Sequence, residues 1–173
     1  MSTSYRPSRN IEASTIEKIQ SILSDNSYTG VTVVLGFKRA YSISLDSKEH
    51  NAIISVRCGT TIHEGVELGS VTTKRKPLIL IDIFATSDGQ RLDLKDLLVA
   101  NLKGGWNYTE YVITNATTSA DASINTRTVN GKIRVESISD TPINFGIDKN
   151  QLDPHDRYRH LLTISCEKTK LEA

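Results

Sequence analysis

No apolar run in the chain approaches the roughly 18–20 residues that cross a bilayer, so no membrane span and no membrane partner is expected. The opening MSTSYRPSRN is polar and carries no signal-peptide core, so export is not expected either. Neither charge sign dominates. Lys and Arg (21) nearly cancel Asp and Glu (20), which argues against a broad polyanion-binding surface and leaves room only for a local patch. Cysteine is scarce: Cys58 and Cys166 stand far apart, and no C-x-x-C pair exists. Each ends an alternating strand face, Ile54, Val56 and Cys58 in one case and Leu162, Ile164 and Cys166 in the other. Small buried hydrophobes explain both, in keeping with a reducing compartment. Also missing are a G-x-S-x-G or Cys/His nucleophile signature and a phosphate-binding glycine loop, since Gly104-Gly105 follows a helix rather than opening one. Helix-turn-helix, zinc-finger and RNA-recognition signatures are absent too.

What is present suits one folded domain. A chain of 173 residues, 38% hydrophobic and 24% charged, can bury a core and is not disordered as a whole. Residues 1–9 read as a flexible arm with Arg6 and Arg9, and 10–173 as a single domain. Ile11, Ile16, Ile19, Ile22 and Leu23 give a helical stripe, with Asn10 as its N-cap and Ser24-Asp25-Asn26-Ser27 as its end. The β-branched VTVVLGF (31–37), then YSISL (41–45) and AIISVRC (52–58), predict strands. Residues 59–76 are polar and end in Lys74-Arg75-Lys76, which predicts a long loop or an extended hairpin arm. Strands follow at 78–85, 107–114, 132–138 and 160–167, with a helix at about 89–103. Residues 115–130 read as a long surface loop. Strands in runs rather than in strict alternation with helices predict α+β: a mostly antiparallel sheet of about five to seven strands, two main helices packed on it, and long polar loops or arms.

The stretch LILIDIFATSDGQRLDLKDLLVANL (78–102) carries the sharpest question. Leu78, Leu80, Asp82 and Phe84 point to one face, Ile79, Ile81, Ile83 and Ala85 to the other, so the strand is central and covered on both sides. A buried Asp82 needs a partner, and Arg57, Arg134, Arg157 and Arg159 are the candidates. No second carboxylate or His stands at a spacing that would make Asp82 a catalytic acid. Ser87 and Gln90 have the form of a capping box, Asp88 suits the helix dipole, and Leu94, Leu97, Leu98 and Leu102 make the core face before a stop at Gly104. Helix initiation therefore accounts for the polar link.

Two clusters invite metal chemistry. HEGVE (63–67) has the start of a metalloprotease helix but lacks the second histidine, and Gly65 opposes a helix. DPHDRYRH (153–160) gathers Asp153, His155, Asp156 and His160, yet Arg157 and Arg159 between them oppose a cation and favour a polar contact surface with Tyr158. No metal, cofactor or catalytic residue is assigned, and no enzyme activity is expected.

In the order of its parts the chain resembles neck proteins of tailed bacteriophages, of the tail-terminator (tail-completion) type. A leading helix, EASTIEKIQSIL, precedes strands and a polar arm containing HEGVELGS. The unit LILIDIFATSDGQRLDLKDLLVANL follows, and LDPHDRYRHLLTISCE sets an Asp/Arg-rich turn before a final strand. The resemblance spans most of residues 10–168. It implies a non-enzymatic virion protein, assembled in the host cytoplasm, whose copies form a ring, typically a hexamer. Such a ring caps the tail tube protein and joins it to the head connector or stopper protein, with DNA passing through its channel. Head-completion and other connector proteins share parts of the pattern and stand as the alternative. The interface candidates are Lys74, Arg75 and Lys76 on the arm, Asp153, His155, Asp156, Arg157, Tyr158 and Arg159 in the turn, and the 115–130 loop. Two readings of other classes are a small metal-dependent enzyme using Asp82 or the Asp153/His155/Asp156 cluster, and a nucleic-acid-binding accessory protein using Lys74, Arg75 and Lys76.

Overall fold

The computed structural model describes residues 6–45, 50–69, 71–114, 123–144 and 146–172. The fold is α+β, as the run of strands predicts: a curled six-stranded sheet with two main helices. In chain order the elements are α1 (Pro7–Asp25), β1 (Val31–Leu35), α2 (Phe37–Tyr41), β2 (Ala52–Gly65), β3 (Thr73–Ala85), α3 (Asp88–Leu102), β4 (Trp106–Thr114), β5 (Ser123–Pro142), α4 (Pro154–Arg157) and β6 (Tyr158–Lys168). The sheet order is β1-β2-β3-β6-β5-β4. Among the described residues only the β1–β2 pair is parallel.

β3 lies in the middle of the sheet, and its two faces divide as the alternation predicts. Ile79, Ile81 and Ile83 join the main core with Ile54, Val56, Leu162, Ile164 and Cys166, beneath Ile11, Ile19 and Ile22 of α1 and Leu94, Leu98 and Leu102 of α3. Phe84 points the other way, into a smaller cluster with Val34, Ala40, Leu45 and Ile53, against which Phe37 and Tyr41 pack. Removing large side chains from water on both faces of one strand is the main source of stability here, at about 1.5–3 kcal/mol for each fully buried Ile, Leu or Phe.

Four expectations need correction. First, α1 starts at Pro7 rather than Ile11, so residues 7–9 belong to a helix and not to an arm. A proline at the first helical position loses no hydrogen bond and brings the φ a helix needs. Asn10 is consequently not a cap: it is buried inside the helix, its Nδ2 donating to Tyr108 Oη at 3.5 Å. Ser14 is buried beside it, its Oγ accepting from Thr109 N (2.9 Å) and donating to Thr109 O (3.3 Å), so the helix satisfies backbone groups of β4. Polar residues on the buried face hid the first turn from an apolar-stripe reading.

Second, YSISL is not a strand. Gly36, at φ +73°, turns the chain out of β1, and Phe37, Ala40 and Tyr41 then share one face of the single helical turn α2. Third, the segment 123–130 lies in β5 rather than in a loop; the remainder of the predicted loop, 115–122, falls outside the described residues. Fourth, α3 ends at Leu102, and the glycine with positive φ (+74°) is Gly105 rather than Gly104. Its N-terminus does follow the sequence: Ser87 Oγ accepts from Gln90 N at 3.2 Å, while Gln90 Oε1 reaches back to Thr86 N at 2.9 Å.

Candidate functional site

Residues 59–76 form the hairpin-arm alternative. β2 and β3 stay paired out to Gly65↔Thr73, past a bulge where Gly59 and Thr60 stand between the pairs Cys58↔Ile79 and Thr61↔Pro77. β1 pairs with β2 only as far as Leu35↔Val56, and β6 with β3 only as far as Leu78↔Ser165. The outer part of the hairpin therefore has no sheet neighbour on either side among the described residues, apart from the bridge Thr73↔Glu172. Five paired residues beyond the bulge, at about 3.4 Å each, carry the turn roughly 17 Å outward.

The basic triplet braces this arm. Lys74 Nζ meets Glu167 at 2.9 Å, Arg75 Nε meets both oxygens of Glu172 at 2.8 and 3.0 Å, and Lys76 Nζ meets Glu64 at 2.9 Å and Glu136 at 3.7 Å. Glu172 also accepts from the buried Lys168 at 3.0 Å. Three cations that read as a patch along the sequence are thus each matched by a carboxylate of the same chain. The Lys76 ammonium holds the Glu64 carboxyl below its ordinary range, mainly through the hydrogen bond between them. His63 and Glu64 lie on a strand, with Glu64 turned to Lys76, so the metalloprotease-like spacing of HEGVE has no helix to act on.

Toward its end the arm is apolar in a way its composition conceals. Ile62 is 62% exposed, Val66 46%, Val71 82%, and Leu68 is fully exposed. These are the residues sequence reasoning missed: isolated aliphatics within a polar segment look unremarkable until the fold leaves them with nothing to pack on. Scattered exposed hydrophobes are ordinary, but Val66, Leu68 and Val71 are gathered at the end of a projection, with Ile62 on its flank.

The second candidate, DPHDRYRH, wraps over the β3–β6 end of the sheet. Asp82, fully buried, accepts from Arg159 Nε (3.1 Å) and Nη2 (2.7 Å) on one oxygen, and Arg57 Nη2 approaches the other at 3.4 Å. Two of the four candidate arginines are its partners; Arg157 instead donates to Leu152 O, and Arg134 sits opposite Glu167 on β5. The Arg159 guanidinium lies 4.4 Å from the Phe37 ring centre and 5.4 Å from that of Phe84, and also reaches Asp156 at 3.4 Å. Tyr41 donates to Asp156 at 2.5 Å. Burial and that bond to a carboxylate push the phenol up, and it stays protonated throughout the physiological range.

The turn's remaining polar groups are committed separately. Asp153 caps α4, accepting from His155 N at 3.0 Å, and touches Nδ1 of the same ring at 2.8 Å. His155 Nε2 faces Ile43 O at 2.7 Å, and its ring packs 5.1 Å from that of Tyr41. His160 lies between Arg91 (2.6 Å) and Asp140 (2.9 Å). Tyr158 receives the Lys149 ammonium over its ring at 4.1 Å. Both nitrogens of each histidine are engaged, so neither ring offers a lone pair to a cation, and among the described residues no group of three or more metal-ligating side chains forms. What the cluster can do chemically is hold β3, β6, α2 and α4 together. Beside it, Arg91, Lys149, Arg157 and Arg159 line a cleft of about 450 Å³ with Asp88 and Asp148. Cys58 and Cys166 both have thiols raised by burial, Cys166 to about 12, as inert packing groups would. Compared with known protein families and with characterised proteins, the chain matches none of them.

Proposed function

We propose that this chain is an assembly subunit, a structural protein of the phage head–tail junction whose copies form a ring that caps the tail tube and joins it to the head connector. The observation that carries the assembly part is the β2–β3 arm: a projection braced along its paired length by ion pairs, with Ile62 on its flank and Val66, Leu68 and Val71 at its end, all exposed to solvent. Three aliphatic side chains at the end of a two-stranded ribbon, and Ile62 on its flank, cannot reach their own core, so another molecule is what would cover them. The place of the subunit in a virion rests on the order of parts described above. The internal pairing of Lys74, Arg75 and Lys76 fits a braced arm better than a DNA-reading rim, because little positive charge is left over for phosphates.

Two experiments test this reading. Particles carrying an affinity label on the protein are imaged by electron microscopy, and the label is expected at the neck. Tails assembled without the protein are expected to vary in length; normal-length tails in its absence would sink the terminator role.

A further inference from the structure

We infer that the apolar tip of the arm seats in the cleft at the root of the arm on a second copy of this chain, an inference that rests on the assembly reading above. The cleft, of about 470 Å³, is lined by Arg9 and Glu12 of α1, Leu35 and Gly36 at the end of β1, and Cys58 and Gly59 of β2. It exists because β1 stops pairing at Leu35↔Val56 and Gly36 turns the chain aside, so the outer edge of β2 runs on uncovered. Glu12 Oε1 accepts from Cys58 N at 2.7 Å, which occupies the first edge N–H that an added strand would use. Recognition here is therefore by side-chain contact rather than by strand addition. Leu35, 41% exposed, is the apolar floor.

Three features favour a second copy as the occupant. The tip supplies Val66, Leu68 and Val71, aliphatics of a size that suits an open cleft with an exposed leucine at its base. Charge is complementary as well: Glu67, exposed beside Leu68, meets Arg9 at the cleft, whose charge also acts on Glu12 while Glu12 accepts from Cys58 N. Finally, a chain cannot fill its own cleft. Cleft and tip lie at opposite ends of an arm roughly 17 Å long, held extended beyond the bulge by strand pairing and by the Glu172 ion pairs. Tip and cleft are different patches, one of each per chain, so the contact is head-to-tail, and successive copies close into a ring or continue as a filament according to the rotation between them.

The test mixes two single variants in a Cys58→Ser background, Leu35→Cys in one preparation and Leu68→Cys in the other, and adds a short bismaleimide. A cross-linked dimer is expected in the mixture and not in either preparation alone. Light scattering on the wild type is expected to show an oligomer, and Leu68→Asp or Leu35→Asp to raise the concentration at half-dissociation about tenfold or more. Both positions are exposed, and unchanged melting curves check that the variants fold. Cross-linking of Leu68→Cys with itself would show tip meeting tip and overturn the inference. An oligomer that persists in Leu68→Asp without mixed cross-linking also overturns it, leaving the assembly reading in place. A wild type that is monomeric at every concentration, with no cross-link, overturns both.

Discussion

Removing Arg159 is the perturbation that best tests how this fold is held together. Asp82 is fully buried on the central strand, and Arg159 gives it two hydrogen bonds, at 3.1 and 2.7 Å, from a side chain only 14% exposed. Arg57 adds a looser contact at 3.4 Å from a side chain 38% exposed, which solvent screens. Arg159→Met keeps much of the stem's packing on Phe37 and Phe84 but leaves the carboxylate with Arg57 alone. Breaking a buried pair in this way costs about 3–5 kcal/mol. Asp82→Asn is expected to cost less, about 2–3 kcal/mol, because Arg159 keeps Asp156 and two aromatic faces. Arg57→Met should cost under about 1 kcal/mol. The double variant Asp82→Asn/Arg159→Met removes both charges and should recover part of the loss, so the double-mutant cycle with the two single variants gives a coupling energy well above experimental error. Urea denaturation followed by tryptophan fluorescence at Trp106 reads all four variants. Additive losses, or an Arg159→Met variant within about 1 kcal/mol of wild type, would refute the view that this pair is a buried, tightly coupled latch.

Three further outcomes are expected. Glu172→Ala leaves the buried Lys168 and Arg75 without their shared carboxylate; it should destabilise by about 3 kcal/mol and speed amide exchange in residues 61–65 and 73–76, read by mass spectrometry. Gly105→Ala would drive a Cβ into Ile133 O at φ +74° and should cost more than about 3 kcal/mol, whereas Gly36→Ala, with open space around it but at φ +73° and ψ 155°, a conformation that suits only glycine, should cost about 1–3, both read by thermal melts. Glu12 has its carboxyl raised above the ordinary value of 4.5, chiefly by burial, so the folded state binds its proton more tightly than the unfolded state. Its contribution is accordingly most favourable below 4.5 and is lost as pH rises through the folded value; Glu12→Gln, which can still accept from Cys58 N, should match or exceed wild-type stability at pH 7 and lose that relative gain near pH 4 in parallel urea titrations.

The α+β class, the central two-faced strand at 78–85, the Leu94/Leu98/Leu102 stripe and the Ser87 cap were legible along the chain, because alternation, helical spacing and cap chemistry are local properties. An arginine partner for Asp82 was legible too, since a carboxylate between isoleucines must be compensated wherever the chain goes. Which arginine was not: Arg159 lies 77 residues away, and only the β3–β6 register, with Asp82 opposite Leu161 and Phe84 opposite Arg159, brings it there. The Pro7 helix start and the single turn at Phe37–Tyr41 were hidden for a related reason. Asn10 and Ser14 are buried only because β4 offers Tyr108 and Thr109, and Tyr41 packs as helix rather than strand because Phe84 waits across the sheet.

For the candidate site the division is sharper. The sequence alone shows where a long loop or hairpin arm lies and that it carries three consecutive cations. Burial and ion pairing depend on atoms brought together from distant positions, so only the tertiary structure turns that basic triplet inward onto Glu167, Glu172 and Glu64. The same fold leaves Ile62, Val66, Leu68 and Val71 with no core to join. The charges thus came to explain how the arm is braced, and its few aliphatics why its end is exposed and apolar.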